Sequence, residues 1–148
     1  MRVPELYLDA SAITAIFVEF DAHHAKIKQL IGTGEAALLV SDFGAIEFVS
    51  ALSRLTRVSG LGLDDARTIL ADFQSWIDTG SGSILLKSSD IVRADGYLRR
   101  FDSPLRAPDA LHLAIADRTG AAFVTFDRKL VVCARVLGIP VIEADLSP

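Results

Sequence analysis

The stretch LYLDASAI, residues 6–13, decides how the rest of the chain is interpreted. It begins with a short apolar run that stops at the carboxylate of Asp9, and small residues then lead into a second apolar stretch. A short apolar run of this kind is typical of a buried strand. Ligands of α/β sheets bind beyond the carboxyl ends of the strands. Asp9 therefore indicates a ligand site if other acids also lie at strand ends.

Strand-like and helix-like segments alternate along the whole chain. Strands are predicted at VPELYLD (3–9), AALLVS (36–41), GSILLKS (82–88), AAFVTF (121–126) and IPVIEA (139–144). Helices are predicted at 11–20, 22–32, 42–60, 63–80, 89–101, 109–120 and 127–138. This alternation predicts an α/β domain with a mostly parallel sheet. A length of 148 residues predicts a single domain over residues 1–148.

Composition and charge limit the classes of function. The chain is 51% hydrophobic and 23% charged, which favours a packed core over disorder. No apolar run approaches the roughly 18 residues needed to span a bilayer, and a signal-peptide core is missing, so we expect a soluble cytoplasmic protein without membrane contact. The single Cys133 excludes an intramolecular disulfide. A net charge of −4 argues against a protein that binds nucleic acid through its overall charge.

Four acids occupy comparable places in this pattern. Asp9 follows the first strand, Asp127 follows the fourth, Asp109 opens a helix, and Glu47 lies early in the helix after the second strand. Because converging carboxylates repel one another, they need a shared cation. Oxygen ligands suit Mg²⁺ or Mn²⁺. The matching chemistry is phosphoryl transfer or phosphodiester cleavage, and the neighbouring Ser11 and Thr125 hydroxyls could orient a carboxylate or a water.

Each acid also has a purely structural interpretation. Asp9 and Asp127 could be N-caps of the helices that follow them, and Asp109 gains from the helix dipole whatever its role. Glu47 could be a solvated helix residue, although its apolar neighbours indicate a deeper position. Asp42 is a plausible N-cap of the third helix, whose apolar face is predicted from helical spacing. That face comprises Ile46, Val49, Leu52 and Leu55.

Taken together, these stretches resemble the PIN-domain nucleases, and most closely the VapC-type toxins of bacterial type II toxin–antitoxin pairs. The four matching motifs are LYLDASAI with Asp9 and Ser11, AIEFVSAL with Glu47, PDALHLAIA with Asp109, and FVTFDRKL with Thr125 and Asp127. DALHLA and TFD followed by a basic helix are fairly specific as a pair, whereas DxS alone is weak. The resemblance covers nearly the whole chain.

The resemblance implies a PIN-like three-layer α/β domain with a short, mostly parallel central sheet. It also implies an endoribonuclease that depends on Mg²⁺ or Mn²⁺ and cuts structured RNA such as tRNA or rRNA. The four acids would be the catalytic metal ligands, with Ser11 and Thr125 as orienting hydroxyls. A homodimer and a cognate antitoxin are implied as partners. Candidate contacts to RNA phosphate are Arg54, Arg57, Arg99, Arg100, Arg106, Arg128 and Lys129.

Other functions remain open. A housekeeping PIN nuclease for RNA maturation cannot be separated from a toxin by sequence, and a small neighbouring reading frame for an antitoxin would favour the toxin. A receiver-like signalling domain would have paired acids after the first strand and a lysine after the last, and an aspartyl phosphatase would have DxD. This chain has DAS after its first strand. A PIN fold used only for binding would not keep four acids.

The remaining predictions concern histidines and apolar surfaces. His112, one turn after Asp109, is interpreted as a packed, hydrogen-bonded residue, and His23 and His24 as surface residues. The segments 17–20 and 69–77 carry more large apolar groups than a small domain needs to bury on one side. Because exposed patches of this kind mark interfaces, they are predicted to form the dimer face.

Overall fold

The computed structural model describes residues 3–32, 34–80 and 82–142. Its strands are β1 (Glu5–Leu8), β2 (Ala37–Ser41), β3 (Gly82–Ile84), β4 (Ala122–Val124) and β5 (Val141–Ile142). Its helices are α1 (Ala10–Phe17), α2 (His24–Ile31), α3 (Asp42–Val58), α4 (Leu63–Thr79), α5 (Ser88–Leu98), α6 (Ala107–Thr119) and α7 (Arg128–Val136). Within the described ranges, no helix has the length and apolar character needed to cross a bilayer.

The strands form one parallel sheet in the order β3-β2-β1-β4-β5, which confirms the predicted α/β architecture. The central strand β1 pairs with β4, with Leu8 opposite Val124. Asp9 continues this pairing, because its backbone N–H donates to the Val124 carbonyl at 3.3 Å. The carboxyl ends of β1 and β4 are therefore adjacent. Residues 143 and 144 of the predicted last strand lie outside the described residues.

Side chains of β1 alternate between two cores, as expected for a strand covered on both faces. Leu6 and Leu8 belong to a cluster built with α1, α3 and α4, which includes the buried Phe48. Tyr7 points the other way, into a cluster built with α6 and α7, which includes Phe123. Helices thus cover both faces of the sheet, as the PIN-like three-layer arrangement requires.

Several residues of the predicted dimer face, segments 17–20 and 69–77, pack against other helices of the domain. Phe17 of α1 packs edge-on against Trp76 of α4, with ring centroids 5.4 Å apart. Phe73 of α4 is buried and lies 4.7 Å from Phe48 of α3 between ring centroids. Part of the apolar face of α4 therefore lies over α1 and α3, while Trp76 and Ile77 are only partly buried, and the dimer face stays a prediction. Phe20 remains exposed.

The inward face of α3 also differs from the predicted one. Ile46 is 65% exposed and Val49 is 41% exposed, whereas Gly44, Phe48 and Leu52 are buried. These three residues are spaced four apart and lie on one side of the helix. Gly44 has no side chain and so leaves room for the Ser41 hydroxyl, because a Cβ on Gly44 would stand 3.2 Å from Ser41 Oγ.

The start of α3 differs by one residue from the prediction. Ser41 is the N-cap, and its Oγ accepts from the Gly44 N–H at 2.8 Å. Asp42 is instead the first helical residue, and its Oδ1 accepts from the backbone N–H of Leu86 at 2.8 Å. Asp42 therefore ties the segment after β3 to the start of α3 rather than capping the helix.

Candidate active site

Asp9 stands just beyond the end of β1 and is only 5% exposed. Its Oδ1 accepts from the Ala12 N–H at 2.9 Å and from Ser11 Oγ at 2.6 Å. Its Oδ2 accepts from Thr125 Oγ1 at 2.5 Å. Asp9 is therefore the N-cap of α1, and the same carboxylate lies where β1 and β4 end side by side.

The two hydroxyls beside Asp9 each make a second contact that holds the segment after β4. Ser11 Oγ accepts from the Phe126 N–H at 3.1 Å, and Thr125 Oγ1 accepts from the Asp127 N–H at 3.1 Å. Ser11 and Thr125 therefore fix the Asp9 carboxylate relative to the turn that carries Asp127. Their role as orienting hydroxyls of a catalytic site stays a prediction.

Burial raises the pKa of the Asp9 carboxyl above its ordinary value. The nearby His112, the two hydroxyls and the Ala12 N–H oppose this shift without cancelling it. The charged form of Asp9 is therefore costly in the protein alone, because buried ions lose their hydration. A cation near Asp9 would offset this cost.

Asp109 and Asp127 line one cleft of about 140 Å³, together with Arg106 and Lys129. Asp127 caps α7, its Oδ1 accepting from the Lys129 N–H at 2.9 Å. Asp109 accepts from the Arg106 N–H at 3.4 Å. Partial burial raises the pKa of Asp109, and the charges of Asp127 and Glu47 raise it further. The acids of three separate elements are thus close enough to repel one another.

Glu47 lies at the rim of this group, with its side chain 29% exposed. Glu47 is more exposed than its apolar sequence neighbours predicted, because Ile46 and Val49 are themselves exposed. Its Oε1 is hydrogen-bonded to Nε2 of His112. His112 is 3% exposed, which confirms the packed interpretation. Its link to Glu47 was missed, and the available signal was its place one turn after Asp109 on the same helix face.

The sequence profile of the PIN domain matches residues 6–136, a range that contains all four acids. The chain belongs to the PIN domain family. No curated protein sequence matches it significantly.

Solved PIN structures share the fold at low sequence identity. The VapC20 toxin of Mycobacterium tuberculosis, described as cleaving the sarcin–ricin loop, matches with a TM-score of 0.69 at 21% identity, covering 86% of this chain and 93% of that one. VapBC2 of Rickettsia felis, bound to promoter DNA, gives 0.69 at 12% identity, with coverage of 95% and 99%. A toxin–antitoxin complex of Klebsiella pneumoniae gives 0.65 at 16%, with coverage of 94% and 97%.

The donor set of this PIN domain suits a hard divalent cation. Among the described residues, no group of three His, Cys, Asp or Glu side chains is arranged to hold one ion. Glu47 bonds His112, and Asp9 and Asp127 bond nearby N–H and hydroxyl groups. Mg²⁺ is commonly held by only one or two carboxylates together with waters and substrate phosphate. The Asp109 and Asp127 pair in one cleft meets that requirement.

The predicted basic contacts divide into two groups. Arg106 and Lys129 line the cleft of the PIN domain, and Arg128 lies beside them in the sequence, at the start of α7. The others lie elsewhere: Arg54 and Arg57 are on α3, Arg99 pairs with Asp95, and Arg100 pairs with Asp102. The cleft therefore combines two acids with two cations.

The histidines predicted at the surface are half-buried. The ring of His23 stacks on Phe126, with centroids 4.4 Å apart and planes at 5°. His24 Nδ1 is hydrogen-bonded to the Ala15 carbonyl at 2.7 Å. Both histidines are more buried than predicted, His23 because Phe126 of the turn after β4 lies against its ring, and His24 because it bonds the Ala15 carbonyl of α1.

Proposed function

We propose that this PIN domain is a metal-dependent endoribonuclease of the VapC toxin type, neutralised by a cognate antitoxin. The observation that supports the proposal is the cleft shared by Asp109 and Asp127, with Asp9 bonded to Thr125 at the adjacent strand ends and Glu47 bonded to His112 of α6. Burial raises the pKa of Asp9 and Asp109, and the charges of Asp127 and Glu47 raise the pKa of Asp109 further, as expected of a cation site.

Each acid has a distinct role in this proposal. Asp109 and Asp127 would hold Mg²⁺ or Mn²⁺, the carboxylate of Asp9 would add negative charge from the sheet edge, and Glu47 would contribute from the rim. When bound, the metal neutralises the phosphate and lowers the pKa of a coordinated water. Ser11 and Thr125 keep the Asp9 carboxylate in one orientation.

Structured RNA such as tRNA or rRNA is the proposed substrate. The description of the M. tuberculosis relative as a toxin that cleaves the sarcin–ricin loop supports this class. With a net charge of −4, attraction to phosphate must be local. Arg106 and Lys129 provide it at the cleft, with Arg128 beside them, and such contacts position the backbone without reading sequence. Arg54, Arg57, Arg99 and Arg100 contribute less.

The proposed partners are an antitoxin and a second copy of the chain. Structures with the same fold include toxin–antitoxin complexes from Rickettsia felis and Klebsiella pneumoniae, which supports an antitoxin partner. The segments 17–20 and 69–77 remain the proposed dimer face, since Phe20 is exposed and Trp76 is only partly buried, and α5 offers a second candidate surface. Ile91 and Val92 of α5 are exposed large apolar residues that suit this role.

Induced expression tests the toxin proposal. We expect wild-type protein to arrest growth and to create new RNA 5′ ends at a few positions in tRNA or rRNA, because cleavage at one site disables translation. The Asp127→Asn variant is the control, since it removes one cleft carboxylate. Co-expression of the small neighbouring reading frame should restore growth. Normal growth with new 5′ ends confined to precursor RNA would indicate a maturation nuclease instead.

A further inference from the structure

A line of buried hydrogen bonds runs behind the acidic cleft and ends at Glu47. The Gly44 N–H donates to Ser41 Oγ at 2.8 Å, and Ser41 Oγ is 2.8 Å from the Tyr7 hydroxyl. The Tyr7 hydroxyl is 2.7 Å from Nδ1 of His112, and Nε2 of His112 bonds Glu47. Ser41, Tyr7 and His112 are all buried, so water does not compete for these bonds. We call this set the relay.

When His112 is neutral, the bonds of the relay have one consistent direction. An amide N–H can only donate, so Ser41 Oγ accepts from Gly44 and its own hydrogen is available to Tyr7. The Tyr7 hydroxyl then donates to Nδ1 of His112. At the other end the Glu47 carboxylate accepts, which requires a hydrogen on Nε2. Both ends of the relay therefore fit one neutral tautomer of His112, with its hydrogen on Nε2 and its Nδ1 accepting from Tyr7.

We propose that His112 is a positioning residue for Glu47, and that Tyr7 and Ser41 set its tautomer. The inference rests on the nuclease function proposed above. Glu47 is a long side chain at the cleft rim, so an unrestrained carboxylate would sample several rotamers. The hydrogen bond from His112 selects one of these Glu47 rotamers. Because His112 lies one turn from Asp109 on α6, the same residue couples the acid of α3 to the acid of α6.

The packing around the relay leaves its rings little freedom. The His112 ring lies between Phe43 and Tyr7, with centroid distances of 5.0 and 5.8 Å. Tyr7 stacks on Phe123 with planes 20° apart. A Cβ on Gly44 would stand 3.5 Å from His112 Cε1. The imidazole is therefore held on three sides, and partners of this kind typically contribute 10- to 100-fold to metal affinity or activity.

Tyr7→Phe is the sharpest test, because it removes the relay hydroxyl and keeps the ring. In metal-free protein, ¹⁵N spectra of the imidazole should show hydrogen on Nε2 of His112 in wild type and a mixture of tautomers in the variant. Mn²⁺ affinity and RNA cleavage should each fall about 10- to 100-fold. Tyr97→Phe is the matched control, since that hydroxyl bonds Asp117 outside the relay at 3.3 Å.

A second pair of variants separates positioning from packing. His112→Gln retains an amide donor toward Glu47 and should keep more Mn²⁺ affinity than His112→Leu, which fills space without donating. Hydrogen on Nδ1 in the wild type, or unchanged Mn²⁺ affinity and tautomer in Tyr7→Phe, would overturn the relay. If wild type cleaves no RNA, the nuclease proposal fails, whereas the tautomer and the Mn²⁺ affinity still decide the relay.

Discussion

The Asp9→Asn variant is expected to lose RNA cleavage while its metal-free fold stays as stable as wild type or becomes more stable. The loss should exceed the roughly 10- to 100-fold typical of removing an outer partner of a metal site. Asn caps helices about as well as Asp, so its oxygen can still accept from the Ala12 N–H, and its amide can donate to Thr125. The substitution therefore removes the charge and keeps the cap.

The stability difference has a defined pH dependence. Burial raises the folded-state pKa of Asp9 above its ordinary value of 3.8. Ionising this carboxyl costs more in the folded than in the unfolded protein, so wild type loses stability as pH rises through the raised pKa. The advantage of Asp9→Asn should vanish below the unfolded pKa and grow as pH rises above it. Urea unfolding of metal-free protein at pH 7 and pH 4 measures it.

Asp64→Asn provides the matched control for charge, because Asp64 is exposed on α4 beside Arg67. It should leave both cleavage and the pH profile unchanged. A large loss of metal-free stability in Asp9→Asn, together with retained cleavage, would show that Asp9 serves only as the cap of α1.

The Asp109→Asn variant is expected to lose most of the stabilisation that Mn²⁺ gives to wild type. At a metal concentration 100-fold above the dissociation constant, binding to the folded state adds about 2.7 kcal/mol. Without metal, the variant should be no less stable, because partial burial and the charges of Asp127 and Glu47 raise the pKa of Asp109. Thermal unfolding during a Mn²⁺ titration measures both effects.

Asp117→Asn tests whether any acid on α6 has the same effect. Asp117 lies on the same helix, where it pairs with Arg93 and bonds Tyr97 instead of lining the cleft. It should keep the full Mn²⁺ response. An equal response in Asp109→Asn and wild type would remove Asp109 from the metal site.

Sequence alone predicts the sheet and the location of the acids because both depend on local pattern. Short apolar strands alternating with helices require parallel pairing, and parallel pairing brings the ends of β1 and β4 together. The contact between Thr125 and Asp9 follows from that geometry, although 116 positions separate them in the chain. The motifs beside Asp9, Asp109 and Asp127 could therefore be placed at one edge before the structure was known.

The orientation of helices depends on tertiary contacts that a single sequence does not specify. Helical spacing made Ile46 and Val49 of α3 candidates for the core, but the helix buries the side that carries Gly44, Phe48 and Leu52 instead. An amphipathic pattern also does not identify its partner, so the apolar face of α4 could be read as a dimer face. The bond between His112 and Glu47 joins residues 65 positions apart, and the position of His112 one turn after Asp109 does not identify Glu47 as its partner.

Cleavage of total RNA by purified protein tests the metal-dependent nuclease proposal most directly. Reactions are compared in Mg²⁺, in EDTA, and in EDTA followed by excess Mn²⁺, at several salt concentrations. We expect cleavage in Mg²⁺, none in EDTA at any salt concentration, and recovery with Mn²⁺, because four carboxylates repel phosphate without a cation. Full cleavage in EDTA, or products with 2′,3′-cyclic phosphate ends, would indicate a metal-free mechanism and contradict the proposed site.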